Sequence, residues 1–219
     1  MTNIHIKYNQ LTKPHHKKVA EIVEEFSYLI PTIMDVGCGV GNTLKEVKKL
    51  NPDAFLVGAD IDEKCLSLTN NKVKLDKKIL IKDIYKPFAR ERSCDIIILS
   101  HVLEHLIYPV EAIKNLMKML RKGGHLILAV PNPVRPLGII FSIFRLNYVN
   151  KGHVYSWDRL HWMNFLENIM GLEVVYYSQD NIELPIIRKL KIFDFIGESL
   201  SEVFPYLSFS HIAVIRKND

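Results

Sequence analysis

The chain has 219 residues, of which 48% are hydrophobic, and this is enough for one buried core with a modest elaboration. Its formal net charge of +5 comes from basic residues spread along the sequence, which disfavours a nucleic-acid-binding track. Three cysteines without metal-ligand spacing exclude a disulfide framework and favour a reducing, cytoplasmic location. The polar first 18 residues predict no signal peptide, and the longest apolar run, residues 137–144, is too short to span a bilayer.

Apolar periodicity and chain breakers predict strands that alternate with helices. The predicted helices cover residues 14–29, 43–50, 63–73, 109–121 and 156–170, the last with Ser156 as its N-cap. The predicted strands cover residues 32–36, 54–59, 78–81, 94–99, 125–130, 172–177 and 210–216. This alternation predicts an α/β fold with a doubly wound, mostly parallel sheet.

A glycine-rich turn follows the first predicted strand. Gly37, Gly39 and Gly41 occupy every second position, and a helix follows directly, as in the nucleotide pockets of α/β folds. No Lys-Ser/Thr pair follows, so the stretch is not a P-loop. Asp35, just ahead of the first glycine, would repel a phosphate and could anchor an ammonium group. The turn therefore favours a ligand with an amine and no phosphate.

Polar residues also follow the next three predicted strands. Asp60 follows the second strand, Asp83 the third, and Ser100 with His101 the fourth. Ligands of open α/β sheets bind at the carboxyl ends of the strands, so we expect these residues to share one site. Each acid alone could equally be a helix cap or a turn former.

Five stretches together resemble the class I S-adenosylmethionine-dependent methyltransferases, over about residues 34–132. They are Asp35-Val36-Gly37-Cys38-Gly39-Val40-Gly41, Gly58-Ala59-Asp60-Ile61, Asp83-Ile84, Leu103-Glu104-His105-Leu106 and Leu120-Arg121-Lys122-Gly123-Gly124. The resemblance implies a seven-stranded Rossmann-like sheet whose last strand is antiparallel. It also implies S-adenosyl-L-methionine as cofactor, a ligand with an ammonium group and no phosphate.

The resemblance assigns the cofactor contacts by position. The methionine part would lie against the glycine turn, the ribose at Asp60, the adenine at Asp83 and Ile84, and the sulfonium near Ser100. The implied cofactor-binding residues are Asp35, Gly37, Cys38, Gly39, Gly41, Asp60, Ile61, Asp83, Ile84 and Ser100.

Histidines crowd the expected acceptor side. His101 and His153 are the candidate catalytic residues, with His153 as a general base for a hydroxyl. No Asn/Asp-Pro-Pro-Tyr/Phe tetrapeptide follows the fourth strand, which argues against the exocyclic amino groups of nucleic-acid bases and favours an oxygen acceptor.

A divalent metal is the second hypothesis for these histidines. Two metal-dependent groups, the O-methyltransferases of ubiquinone biosynthesis and the small-RNA 2′-O-methyltransferases, show a similar acid-x-x-Glu-His run and a later His before aromatic residues. His101 stands where they carry the first acid, which weighs against a metal. The ligands of a bound metal would be His101, Glu104, His105 and His153; otherwise Glu104 and His105 only orient the helix and the sheet.

We expect a single methyltransferase domain over residues 1–219, with an N-terminal helical cover at 10–30 and two apolar elaborations at 134–151 and 179–209. Both elaborations mix large apolar side chains with Arg or Lys. They are typical of an ordinary lid or a dimer surface, or of peripheral membrane contact. The sequence does not identify the oligomeric state.

The predicted function is S-adenosylmethionine-dependent O-methylation of a small, hydrophobic molecule. Two alternatives stay open: a metal-assisted RNA 2′-O-methyltransferase, which the dispersed charge disfavours, and a non-catalytic cofactor-binding module. The acceptor itself is not identified by the sequence.

Overall fold

The computed structural model describes residues 12–27, 29–136, 139, 143–144, 152–182 and 204–218. In chain order it contains α1 (Pro14–Glu25), β1 (Thr32–Val36), α2 (Asn42–Leu50), β2 (Phe55–Asp60), α3 (Glu63–Val73), β3 (Lys77–Leu80), β4 (Cys94–Ser100), a 3₁₀ turn (Leu103–His105), α4 (Pro109–Met119), β5 (Leu120–Pro131), α5 (Arg159–Asn164) with a π-helical turn (Phe165–Ile169), β6 (Val174–Gln179), a 3₁₀ turn (Pro205–Leu207) and β7 (Ser210–Arg216).

The seven strands form one sheet in the order β3-β2-β1-β4-β5-β7-β6. The pairings from β3 to β5 are parallel, whereas β7 runs antiparallel to both β5 and β6. The predicted α/β fold, with seven strands and an antiparallel last strand, is therefore confirmed.

Helices cover both faces of the sheet, and strand β4 is buried between them. Ile96 and Ile98 pack with the apolar side chains of α1 and α2, while Ile97 and Leu99 pack on the other face with those of α4 and α5. A strand buried on both faces needs a continuous apolar run, which is what residues 96–99 supply.

Several predicted boundaries shift. Helix α1 ends at Glu25 rather than at residue 29. Helix α4 ends at Met119 rather than at residue 121, and β5 begins at Leu120 rather than at residue 125. The strand begins early because Leu120 already pairs with Cys94 of β4. The register then shifts, and the next pair is Ile96 with His125.

The C-terminal boundaries shift for similar local reasons. The N-cap of α5 is Asp158 rather than Ser156, because the Asp158 carboxylate accepts the His161 N–H at 3.0 Å. Strand β6 begins at Val174 rather than at residue 172, because the Leu172 N–H still bonds to the Leu166 carbonyl and closes the helix.

The two apolar elaborations fall largely outside the described residues, which leave out 137–138, 140–142, 145–151 and 183–203. The hypotheses of a lid, a dimer surface and membrane contact stay predictions there. Within the described part of the chain, no helix is long and apolar enough to cross a membrane.

Candidate active site

The chain order of the strands reverses between β1 and β4, and this is where ligands bind in open α/β sheets. The residues at or just after the carboxyl ends of β1, β2, β3 and β4 therefore meet at one edge. They include the glycine turn, Asp60, Asp83 and Ser100. The sheet thus brings together the strand ends that the sequence assigned to one site.

The three glycines of the turn all have left-handed backbones, with φ of +75° at Gly37, +54° at Gly39 and +76° at Gly41. Gly37 and Gly41 are also needed for packing. A Cβ on Gly37 would lie 2.4 Å from Val102 Cγ2, and one on Gly41 would lie 2.7 Å from Thr69 Cγ2.

Gly39 differs from the other two, because a Cβ placed there meets no protein atom within 4 Å among the described residues. The bare backbone of Gly39 therefore faces open space. A ligand can approach this peptide closely, as the sequence predicted for the turn as a whole.

Two buried acids lie beside the turn. Asp60 is 4% exposed, and its carboxylate accepts the Gly39 N–H at 2.8 Å and the Asp62 N–H at 2.9 Å. Asp35 is 2% exposed, and burial, followed by the charge of Asp60, raises its pKa to about 7. Two adjacent buried carboxyls favour a ligand that brings a cation and hydroxyl donors.

The neighbouring residues fit the rest of an adenosine-type ligand. Ile61, directly after Asp60, is 73% exposed and offers an apolar surface. Ser100 Oγ at the end of β4 is buried without a hydrogen-bond partner in the described structure, so a polar group of a ligand could satisfy it.

Asp83 and Ile84 are held by their own surroundings. The Asp83 carboxylate accepts the Tyr85 N–H at 2.9 Å and pairs with Lys86 Nζ at 3.2 Å, and these contacts, the Tyr85 N–H first, lower its pKa. The Ile84 carbonyl accepts an N–H of Asn115 at 2.8 Å. Both residues lie at the expected place, and their contact with adenine stays a prediction.

Glu104, His105 and His153 lie together on the acceptor side. The Glu104 carbonyl accepts the N–H groups of Val154 and Tyr155 at 2.7 and 3.1 Å, which draws the His153 loop over the 3₁₀ turn. The rings of His105 and His153 meet edge-on with centroids 4.8 Å apart. One donor atom from each of the three residues lies within 4.8 Å of the others.

The donor set fits a divalent cation. Glu104 is 1% exposed, its Oε2 is buried without a hydrogen-bond partner in the described structure, and burial raises its pKa to about 8. A buried carboxylate beside two imidazoles gains a partner for its charge when a cation binds.

His101 lies outside this three-residue group, although the sequence placed it in the metal set. It precedes the 3₁₀ turn with a left-handed backbone, φ +55°, so it does not share one helical face with Glu104 and His105. Its Nδ1 lies 3.7 Å from Glu104 Oε1, while its Nε2 is 2.9 Å from Ser210 Oγ. Burial, followed by the charge of Lys13, holds its pKa well below the ordinary histidine range.

Two contacts of His101 could not be found in the sequence. His15 at the start of α1 stacks on the His101 ring with centroids 4.2 Å apart, and Phe209 before β7 stacks at 5.6 Å. The only sequence signal was a pair of histidines at the start of a helix, and the contact joins segments far apart in the chain.

Comparison with known proteins agrees with this geometry. Residues 34–128 match the family described as "Methyltransferase domain". The matched stretch runs from the end of β1 into β5 and so contains the whole predicted cofactor edge. Over these residues the chain is similar to methyltransferase domains. The recognition made from the sequence is confirmed, and S-adenosylmethionine is the cofactor of this class.

Among curated proteins, the domain is similar to a ubiquinone biosynthesis O-methyltransferase of Marinobacter nauticus, with 30% identity over 122 residues, 53% of this chain and 50% of the relative. It is also similar to a malonyl-[acyl-carrier protein] O-methyltransferase of Halalkalibacterium halodurans, with 25% identity over 69% of this chain and 59% of the relative. The chain thus spans about half the length of the curated relatives it matches.

Two solved structures share the fold of this chain at low identity. A putative methyltransferase of Haloferax volcanii in complex with the activator Trm112 has a TM-score of 0.68 at 14% identity, over 94% of this chain and 90% of that chain. The N-methyltransferase NodS of Bradyrhizobium japonicum, with S-adenosyl-L-homocysteine, has a TM-score of 0.62 at 17% identity, over 96% and 90%. The seven-stranded fold is therefore that of known methyltransferases.

Proposed function

We propose that this protein transfers the methyl group of S-adenosylmethionine to an oxygen atom of a small molecule. The observation that carries the proposal is a juxtaposition at one sheet edge. The glycine turn meets Val102, which stands between Ser100 at the end of β4 and Glu104 in the 3₁₀ turn, and Glu104 lies beside two histidines. We call Gly39, Asp60 and Ser100 the cradle. A cofactor cradle next to groups that accept protons or hold a cation is what methyl transfer to a hydroxyl needs.

The residues of the cradle fit S-adenosylmethionine. Asp35 would hold the ammonium group, Asp60 the ribose hydroxyls, and Ile61 with Asp83 the base, while Gly39 leaves room beside the backbone. The cofactor supplies an electrophilic methyl group on a sulfonium. The protein then has to place the acceptor oxygen in line with that methyl group and remove its proton.

His153 is the residue we assign to proton removal. It is partly exposed, so an acceptor hydroxyl can reach it. Burial, followed by the charges of His105 and Arg135, lowers its pKa, so its imidazole is neutral near pH 7 and can accept a proton. Its position against His105 limits its movement.

A divalent cation would change the role of His153. Glu104, His105 and His153 would hold the ion, which would supply Lewis acidity to an acceptor oxygen. His153 would then be a ligand rather than a base. Glu104 Oε2, which has no hydrogen-bond partner among the described residues, supports the metal, while His101 in the place of the first acid weighs against it.

A small-molecule acceptor is supported by the charge distribution and by the names of the relatives. Two of the relatives are O-methyltransferases named for ubiquinone biosynthesis and for malonyl-[acyl-carrier protein]. The basic residues of this chain are spread along the sequence, whereas RNA binding favours a continuous basic groove.

Calorimetry with S-adenosylhomocysteine tests the cofactor part of the proposal, and absence of binding at high micromolar concentration would refute it. Methyl transfer from labelled S-adenosylmethionine to catechols, hydroxybenzoates and structured RNA, with and without chelator, tests the rest. We expect transfer to a small hydroxyl compound. Transfer to RNA alone would favour the first alternative, and cofactor binding with no transfer to any acceptor the second.

The chelator separates the two roles of His153. If His153 acts as a base without metal, a chelator leaves turnover unchanged and His153→Ala reduces it most at low pH, where proton removal is hardest. Loss of turnover with chelator, restored by a divalent cation, would assign His153 to metal binding.

A further inference from the structure

Arg135 extends from the loop after β5 and stacks on an aromatic ring at the acceptor side. Its guanidinium carbon lies 4.5 Å from the centroid of the Phe209 ring, and that ring stacks on His101. Among the described residues, no carboxylate forms an ion pair with Arg135. An arginine that packs on a ring keeps its N–H donors for another partner.

Ring contacts link Arg135 to the candidate catalytic histidines. The Phe209 ring beneath its guanidinium stacks on His101, His101 Nδ1 lies 3.7 Å from Glu104 Oε1, and Glu104 is grouped with His153. Arg135 is therefore close to the place where the acceptor oxygen would react. Lys13, whose Nζ lies 5.9 Å from the Phe209 centroid, adds a second positive charge at the same ring.

A buried amide holds this arrangement in place. Asn132, 1% exposed, accepts the Val134 N–H at 2.9 Å and so shapes the turn that leads to Arg135. Its side-chain N–H groups donate to the carbonyls of Tyr206 and Ser208, each at 2.8 Å, and its backbone N–H donates to Phe209 at 2.8 Å. Through its side chain and its backbone, Asn132 thus fixes both the arginine loop and the segment that carries the ring, which keeps the guanidinium preorganised.

We propose that Arg135 binds an anionic group of the methyl acceptor, a carboxylate or a phosphate, next to the reacting oxygen. The inference rests on the proposed function and narrows its substrate class to acids. A guanidinium that has no ion-paired carboxylate among the described residues, and that is held on a ring stacked on His101, is a site for a planar or tetrahedral anion. Neutral hydroxyl compounds could not form an ion pair with this guanidinium.

The test measures binding of matched probes to the full chain loaded with S-adenosylhomocysteine. One pair, 3,4-dihydroxybenzoate and catechol, differs by a carboxylate, and the other, 4-hydroxyphenyl phosphate and hydroquinone, differs by a phosphate. We expect the wild-type protein to bind at least one acid about tenfold or more tightly than its neutral mate. The pair that shows the preference identifies the anion.

Arg135→Gln is expected to remove this preference, to within about twofold. Arg135→Lys keeps the positive charge but lacks the planar guanidinium, so this variant should retain part of the preference for the acid. The matched control is Arg159→Gln. Arg159 also packs on aromatic rings, 5.2 Å from Tyr177 and 5.3 Å from Tyr206, but its charge acts on His211 rather than on His101 or His153. The control should keep the full preference.

Three results would overturn the inference. The first is that the wild-type protein, loaded with S-adenosylhomocysteine, binds the acids and their neutral counterparts equally or not at all. The second is a preference for the acid that survives Arg135→Gln. The third is a preference that only Arg159→Gln removes. Failure of S-adenosylhomocysteine to bind the wild-type protein would instead refute the proposed function. The two failures are therefore distinguishable in one series of titrations.

Discussion

The backbone N–H of Gly39 donates a hydrogen bond to Oδ2 of Asp60, with 2.8 Å between nitrogen and oxygen. This bond ties the turn after β1 to the end of β2, so the two halves of the cofactor cradle are one unit. The second oxygen of Asp60 accepts the N–H of Asp62, the N-cap residue of α3. Asp60 therefore shapes the cradle even before a ligand binds.

Replacing Asp60 should affect both the fold and the cofactor. Asp60→Ala leaves two backbone N–H groups without their carboxylate, and we expect a loss of about 2 kcal/mol in the free energy of unfolding. We also expect affinity for S-adenosylhomocysteine to fall at least about tenfold. Urea unfolding and calorimetry measure the two effects.

Asp76→Ala is the matched control for Asp60→Ala. The Asp76 carboxylate accepts the Leu56 N–H at 2.8 Å near the start of the same strand, away from the cradle. Its loss should reduce stability and leave cofactor affinity unchanged. Wild-type affinity in Asp60→Ala would contradict the assignment of this residue.

Gly39→Ala tests the open space beside the turn. The new Cβ meets no described protein atom within 4 Å, so the cost is backbone strain at φ +54°, about 1 kcal/mol. A ligand against the bare peptide would collide with the methyl group, so we expect affinity for S-adenosylhomocysteine to drop at least about tenfold.

Gly123→Ala is the control for that substitution, since Gly123 also has a positive φ, +75°, and open space, but lies at the opposite edge of the sheet. It should be strained to a similar degree and bind the cofactor normally. Similar affinity in the two variants would show that the cofactor does not approach Gly39.

The pKa of Asp35, raised to about 7 by burial and then by the charge of Asp60, predicts a pH dependence of stability. Between its ordinary value near 3.8 and about 7, the folded state holds more protons than the unfolded chain. The free energy of unfolding therefore falls as the pH rises through this window, and the loss is complete above about pH 7. Asp35→Asn should stabilise the ligand-free protein more at pH 8 than at pH 5.

The same substitution should weaken S-adenosylhomocysteine binding, because the ammonium group loses its carboxylate partner. Asp83→Asn should change the free energy of unfolding in the opposite direction, because contacts with the Tyr85 N–H and then Lys86 lower the pKa of Asp83. It should reduce stability at pH 8. A stability gain in Asp35→Asn that does not vary with pH would contradict the assignment.

A divalent cation should stabilise the protein if the three-residue group binds one. We expect Mn²⁺ to raise the melting temperature of the wild-type protein and a chelator to reverse the shift. Glu104→Gln and His153→Ala should each abolish it. His161→Ala is the control, because His161 is exposed and paired with Asp158 at 2.6 Å. A shift that persists in Glu104→Gln would place the cation elsewhere.

The start of α5 offers a test of a corrected boundary. Asp158→Ala removes the cap that accepts the His161 N–H and should lower the free energy of unfolding by about 1 kcal/mol. Ser156→Ala should change it by less than about 0.5 kcal/mol. The reverse order in thermal or urea unfolding would restore Ser156 as the cap.

The glycine turn could be predicted from the sequence because its constraints are local. Three glycines at alternate positions leave few other conformations, and all three have positive φ. The acids and the serine at the strand ends were equally accessible, because parallel strands end at the same edge. The fold class followed from the alternation of strands and helices.

The environment of the histidines could not be predicted, because it depends on segments far apart in the chain. Helical spacing suggested that His101 shares a face with Glu104 and His105, but a left-handed backbone at His101 breaks that face and its ring turns to Ser210. The stack of His15 on His101 depends on how α1 packs over the end of β4.

By itself, the sequence determined the fold class and the glycine turn, since these depend on periodicity and on local spacing, while its resemblance to the methyltransferases indicated the cofactor class. Only the tertiary structure decided which of these groups are buried, which are paired and which are left with a free donor or acceptor. Asp35 with its raised pKa, the orphaned oxygen of Glu104 and the guanidinium of Arg135 on Phe209 are all results of packing. Side chains are removed from water and brought next to one another only when distant segments of the chain meet. These two effects set the pKa values and the available partners of the groups on the acceptor side.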